Sequence, residues 1–185
     1  MSQTLHIKNM VCNRCKTIVM REIKSAGLEV ETIELGVVTI SGNNSESISK
    51  LEEALNHHGF EIIKDDTVKL IEQLKITLIQ KLESQELSNL SEFLPKAFHK
   101  SYSALSRLFS KTEGMTIEKY LINLKIEKVK EYIQLGQLNF SEIAYALNYT
   151  NSGHLARQFK NVTGMSMSEF KTLQNWDRKS IDQIV

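Results

Sequence analysis

Two sets of residues in this chain have the types and spacing to do chemistry. Cys12 and Cys15 are its two cysteines, three positions apart. At a helix start that spacing aims both sulfurs at one point. The unpaired N–H groups there, with Arg14 and Lys16 close by, favour the thiolate. Two thiolates suit Cu(I), which accepts two soft ligands, whereas structural Zn(II) normally takes four and would need donors such as the same cysteines of a second chain. Neither ion is required for the fold. A redox pair and an unmetallated relic share the spacing and stay open as readings. Met10 is expected to pack beneath the loop and His6 to face solvent.

The second set is a pair of arginines. Asn89, Ser91, Glu92, Leu105, Arg107, Phe109, Gly114, Met115 and Tyr120 recur fifty positions later as Asn139, Ser141, Glu142, Leu155, Arg157, Phe159, Gly164, Met165 and Phe170. Spacing and residue type survive across a helix, a turn and a second helix. Repeated helix-turn-helix units can lay two helices into successive major grooves of DNA.

The elements that position these residues follow from periodicity. Thr4 to Lys8 alternates as a strand, and Val30 to Leu35 and Val37 to Ser41 form a hairpin about Gly36. Cys15 to Ala26 and Ser45 to His57 read as helices, stopped near Gly27 and Gly59, and Glu61 to Ile63 as a short strand. The order is βαββαβ, a ferredoxin-like sandwich over residues 1–64. An all-α domain over 66–175 and a tail over 176–185 follow, giving an α+β chain.

In the second domain, Val68 to Leu82 is a helix with Leu70, Ile71, Leu74, Leu78 and Leu82 on one stripe. It starts straight after Asp65 and Asp66, without a flexible linker. Each repeat opens on an Asn three residues before a Glu, the pattern of a capping box. Ser101 to Thr112 buries Leu105, Leu108 and Phe109 and exposes Ser103, Ser106, Arg107 and Ser110. Asn151 to Val162 buries Leu155 and Phe159 and exposes Gly153, Ala156, Arg157 and Lys160. The helix Thr116 to Leu135 between them is about 30 Å long, close to the roughly 34 Å between major grooves on one DNA face. Pro95 should bend or shorten its helix.

Two family resemblances rest on these residues. The Met10-x-Cys12-x-x-Cys15 loop in a βαββαβ order resembles the heavy-metal-associated domain, which implies binding of soft metals. Phe60 sits where such domains often carry an aromatic beside the loop. The stretch from Gly27 to Gly42 is shorter than in that family, so its hairpin should be tight. The run from Leu105 through Gly114, Met115 and Tyr120, with Ser141, Glu142, Ile143 and Ala144 and then His154 to Phe170, resembles the AraC/XylS family of transcription regulators over about 85 residues. That resemblance implies a bipartite DNA-binding domain of seven helices, the first being Val68 to Leu82. It implies Ser103, Arg107, Ser152, Gly153 and Arg157 as base readers and Asn151 and His154 as base or phosphate contacts. Lys160, facing outward, is expected to meet phosphate. Where the family often has glycine in each turn, this chain has His99 and Asn148, and Asn in particular tolerates the left-handed conformation.

Bulk composition bounds the rest. Residues 1–65 hold 7 Lys or Arg against 9 Asp or Glu, and residues 66–185 hold 16 against 13, so the basic half is the one with the repeat. No apolar run approaches the 18 residues of a membrane span and no leader opens the chain, which places it in the cytoplasm. Nothing resembles a catalytic constellation, so no enzyme is expected. The expected function is metal-responsive regulation of transcription on double-stranded DNA, with a homodimer and RNA polymerase as further candidate partners. In the expected switch, metal draws the two cysteines together and alters how the first domain packs on Val68 to Leu82. A metal-independent regulator whose first domain dimerises and a metal-buffering protein are the alternatives.

Overall fold

A computed structural model describes residues 2–42, 45–87, 89–173, 178, 179 and 184. The expected tail over 176–185 lies outside the described residues except at 178, 179 and 184. The chain is α+β, with a small antiparallel sheet at its N-terminal end and helices after it. It divides into two compact units, 1–77 and 78–185.

The first unit runs β1 (Ser2–Lys8), α1 (Asn13–Ser25), β2 (Glu29–Glu34), β3 (Val37–Ser41), α2 (Ser45–His57), β4 (Glu61–Ile63) and the beginning of α3 (Asp66–Glu83). The strands stand in the order β2-β3-β1-β4, every pairing antiparallel. In β1 and β3 alternate residues turn inward, Leu5 and Ile7 beside Val38 and Ile40, because successive side chains of a strand point to opposite faces. Val19 and Ile23 of α1 and Leu51 and Leu55 of α2 close the same core with Met10 and Phe60. The β2–β3 turn has two residues, Leu35 and Gly36, and Gly36 adopts φ +74°, a conformation that costs glycine little. Its N–H donates to the Met10 carbonyl at 3.0 Å and its carbonyl accepts from Ile7 N–H at 2.9 Å, so the tight hairpin is tied to the loop after β1. Met10 is fully buried, as expected. His6 departs from expectation. It is half-buried beside Lys69 and Asp66, and burial first, then Lys69, pushes its pKa down.

The second unit holds the end of α3, then α4 (Leu90–Phe98), α5 (Tyr102–Glu113), α6 (Ile117–Leu135), α7 (Phe140–Ala146), α8 (Ser152–Thr163) and α9 (Met167–Thr172). The repeat is visible in coordinates: α5 and α8, and the starts of α6 and α9, begin fifty residues apart. Phe109 meets Tyr120 at 5.4 Å between ring centroids, and the equivalent Phe159 meets Phe170 at 5.5 Å, both tilted toward the edge-to-face arrangement aromatic pairs prefer. Gly114 and Gly164 end α5 and α8 in the left-handed conformation, each N–H donating to the carbonyl four residues back.

The helix starts are less symmetric than the sequence pattern. Asn139 forms a complete capping box, accepting from Ser141 and Glu142 N–H at 2.9 and 3.0 Å while Glu142 accepts from Asn139 N–H at 2.7 Å. Asn89 does not cap. It stands at φ 58°, ψ 34°, so its carbonyl, not its side chain, meets the N–H groups of Glu92 and Phe93. Pro95 lies inside α4, which still continues to Phe98. His99 and Asn148 both take the left-handed conformation that glycine would supply, at φ 50° and 56°. No helix among the described residues is long and apolar enough to cross a membrane.

Candidate nucleic-acid interface and cysteine pair

Helices α5 and α8 present the arginines. On α5 every fourth residue, Leu105 and Phe109, faces the core, and Ser103 and Arg107 share an exposed face by the same spacing. On α8 Leu155 and Phe159 face in, while Gly153, His154, Arg157 and Lys160 are exposed. Ser152 is half-buried at the first position of the helix. Leu108, expected inside, and Ser106, Ser110 and Ala156, expected outside, are all half-buried because they stand on the flanks of the buried stripe. Among the described residues neither Arg107 nor Arg157 has a hydrogen bond or ion pair, leaving each planar fork of donors available.

The N-termini of both helices are fixed. Ser101 Oγ accepts from Ala104 N–H at 3.3 Å and lies 3.2 Å from Ser103 Oγ. Asn151 Oδ1 accepts from His154 N–H at 2.8 Å, so its carbonyl oxygen is engaged in the cap while its amide NH2 stays free to donate outward. A Cβ on Gly153 would come within 3.3 Å of that oxygen, which explains a small residue beside the cap.

Two tyrosines that sequence reasoning missed hold these helices. Tyr149 donates to Gln158 Oε1 at 2.5 Å, takes the ring edge of His154 at 5.4 Å and has Lys125 Nζ 4.9 Å from its ring centroid. Burial pushes its hydroxyl up to about 12 and pushes Lys125 down. In the first repeat Tyr102 donates to Glu118 at the start of α6, which holds that carboxyl below its usual range. The signal was faint: Tyr149 is offset from Tyr102 in the repeat, so no shared position marks them.

Cys12 and Cys15 come together as expected. Their Sγ atoms are 2.8 Å apart, both residues half-buried. Cys12 is the N-cap of α1, its sulfur accepting from Cys15 N–H at 3.3 Å. The expected activation by nearby cations does not reach Cys15. Burial and the Cys12 sulfur push its thiol up to about 11, Arg14 is exposed, and Lys16 pairs with Glu34 at 3.7 Å. Among the described residues no group of three or more His, Cys, Asp or Glu is placed to hold a metal.

Comparison with known proteins bears on the arginine-bearing unit. Residues 94–172 match the family described as a helix-turn-helix domain. The matched residues all lie in the second unit. The HTH-type transcriptional regulator YijO of Escherichia coli, itself uncharacterized, is 31% identical over 80 residues, 43% of this chain and 28% of that protein. The Msm operon regulatory protein of Streptococcus mutans is 26% identical over 83 residues, 44% of this chain and 30% of that protein. The chain thus matches less than a third of the length of either relative. A crystal structure of the transcriptional regulator CdpR from Pseudomonas aeruginosa superposes over 76% of this chain and 46% of its own, at 11% identity and a TM-score of 0.47.

Proposed function

We propose that this chain is an AraC-type, sequence-specific DNA-binding regulator of transcription whose first unit responds to a thiophilic metal. The observation that carries the DNA reading is the duplicated placement of an exposed guanidinium, without a hydrogen bond or ion pair among the described residues, on α5 and on α8, each helix capped at its start and sealed by an equivalent aromatic pair beneath it. Arg107 and Arg157 are assigned to guanine edges, where a bidentate contact discriminates between bases. Ser103, Ser152, Gly153, Asn151 and His154 lie close enough along the helix starts to meet bases or backbone, and Lys160 is assigned to phosphate. Helices α3 to α9 number seven among the described residues, in keeping with the AraC-type reading.

The first unit is read as a ferredoxin-like metal-responsive module, on its element order and on the loop that places Cys12 and Cys15 together. The donor set suits a soft two-coordinate ion. When bound, Cu(I) would supply a link between two sulfurs that otherwise only touch, and Zn(II) would need further donors from a second chain. The sulfurs are already 2.8 Å apart, so the expectation that metal draws them together is replaced. Cys12 and Cys15 would hold such an ion between their thiolates at a wider spacing than this contact, and the loop would open to do so. Binding also requires Cys15 to lose its proton.

The test is a titration of the whole chain against a duplex selected by it from a random-sequence pool, with and without Cu(I). The proposal expects selective, salt-dependent binding that changes on Cu(I) addition, with no change in a Cys12→Ser, Cys15→Ser variant. Selective binding that ignores Cu(I) leaves a metal-independent regulator. Cu(I) binding without duplex selectivity leaves a metal buffer.

A further inference from the structure

Helix α3 touches the cysteine loop through a buried carboxylate. Glu72 and Lys75 have only 4% of their side chains exposed, and Lys75 Nζ lies 3.3 Å from Glu72 Oε2. The other carboxylate oxygen, Glu72 Oε1, accepts from Asn9 N–H at 2.7 Å. Asn9 is three residues before Cys12 and stands at φ 67°, a left-handed turn that is uncommon outside glycine. Its side chain donates to the Gly59 carbonyl at 2.9 Å and its own carbonyl accepts from Val11 N–H at 3.0 Å. The residue that starts the cysteine loop is therefore held from several sides, and one hold comes from α3.

A second contact lies one turn further along the same helix face. Ile76, four residues from Glu72, reaches Gly36, where a Cβ would come within 2.4 Å of Ile76 Cδ1. Gly36 N–H in turn donates to the Met10 carbonyl. Both contacts end on residues 9 and 10, so a displacement of the loop meets α3 at two points. Removing the partner of a buried, charge-assisted hydrogen bond is expensive, so α3 tends to follow the loop instead of losing it. Of the 18 residues of α3, the first twelve belong to the first unit and the last six to the second unit.

We propose that Glu72 is the positioning residue that relays the state of the Cys12–Cys15 pair to α3, through the Asn9 N–H, and along that helix to the DNA-binding unit. The relay rests on the metal response proposed above. Opening of the two sulfurs shifts the loop from Asn9 to Cys12. Asn9 then pulls on or releases Glu72, and α3 adjusts with it.

The test compares the unaltered chain with a Glu72→Met, Lys75→Met variant, which replaces the buried pair by apolar side chains of similar length and avoids stranding the lysine charge. Cu(I) affinity is read by competition with a chromophoric chelator, and duplex affinity by fluorescence anisotropy on the selected duplex. In the unaltered chain Cu(I) is expected to change the duplex Kd by about 5- to 150-fold, the usual range of allosteric coupling. In the variant, Cu(I) affinity and metal-free duplex affinity should hold within about threefold, and the Cu(I) effect on Kd should fall below twofold. A variant that keeps the full Cu(I) effect overturns the relay and leaves the metal response standing. An unaltered chain whose Kd ignores Cu(I) overturns the metal response itself, and the relay with it. Hydrogen exchange on the unaltered chain reads the same step without substitution. Cu(I) should change protection over 69–83 as well as over 9–15, and a change confined to 9–15 overturns the relay.

Discussion

Truncation of Arg157 separates a base reader from a generic surface charge. The guanidinium is exposed and makes no hydrogen bond or ion pair among the described residues, so Arg157→Ala should alter folding stability by no more than about 0.5 kcal/mol. Losses in DNA binding are then not losses of fold. If the side chain is bidentate to a guanine, its removal costs roughly 1–3 kcal/mol on the selected duplex. At about 1.4 kcal/mol per tenfold, that is a roughly 5- to 140-fold rise in Kd. A scrambled duplex of equal length should lose far less. Lys160→Ala, one turn away on the same exposed side of α8, provides the contrast: similar weakening on both duplexes, and a slope of log K against log salt shallower by about one. Anisotropy titrations at several salt concentrations measure all four quantities. An Arg157→Ala loss of equal size on the selected and scrambled duplexes would refute the base-reading role and leave Arg157 as a phosphate contact.

Further outcomes follow from the same geometry. Asn139→Ala removes the side-chain arm of the capping box on α7, leaving the backbone N–H of residue 139 to donate to Glu142, and should cost about 1 kcal/mol in denaturant unfolding, while Asn89→Gly, at a left-handed position without a side-chain cap, should be neutral or slightly stabilising. Phe159→Ala empties a fully buried site against Phe170 and should cost roughly 3–5 kcal/mol by the same assay. Because burial and the Cys12 sulfur push the Cys15 thiol up to about 11, it is overwhelmingly protonated at neutral pH, so its alkylation by iodoacetamide should be slow there and accelerate as pH rises toward 11. For the same reason Cu(I) affinity should weaken as pH falls, each Cys15 proton competing with the metal, and a Cys15 that alkylates at its full rate at pH 7 contradicts the burial argument.

Local chemistry was legible in the sequence wherever one residue type answers one local demand. The glycine ends of α5, α6 and α8, the helix stripes through Leu105 and Phe109, and the two-residue hairpin at Gly36 all follow from short-range patterns. Asn89 shows where that logic stops. It stands before Glu92 as Asn139 stands before Glu142, yet the backbone at Asn89 is left-handed and aims the side chain away from the helix. Capping depends on φ and ψ as much as on residue type. Glu72 and Lys75 were invisible for a different reason. As a Glu and a Lys three apart on a helix they read as a solvated pair, and only tertiary contacts reveal that Ile71 to Ile79 is buried almost throughout, with Asn9 supplying a donor from 63 positions away. The cysteine pair was legible by spacing, but its protonation was not, because desolvation outweighs the helix N-terminus and the nearby cations.

The asymmetry between the repeats bears on which arginine matters more. The second repeat has a complete capping box on α7, a 2.8 Å cap on α8 and the half-buried Tyr149 donating to Gln158, all of which fix α8 before DNA arrives. The first has no side-chain cap on α4, a proline inside it and a longer, 3.3 Å cap on α5, with Tyr102 bonded to Glu118 as its counterpart hold. Binding energy is reduced by whatever ordering the protein still has to undergo. The helix that is better held before contact gives up less, so Arg157 should contribute more to selectivity than Arg107 although the two occupy equivalent positions. Arg107→Ala should therefore raise Kd on the selected duplex less than Arg157→Ala does, and the reverse order would place the principal reader in the first repeat despite its weaker supports.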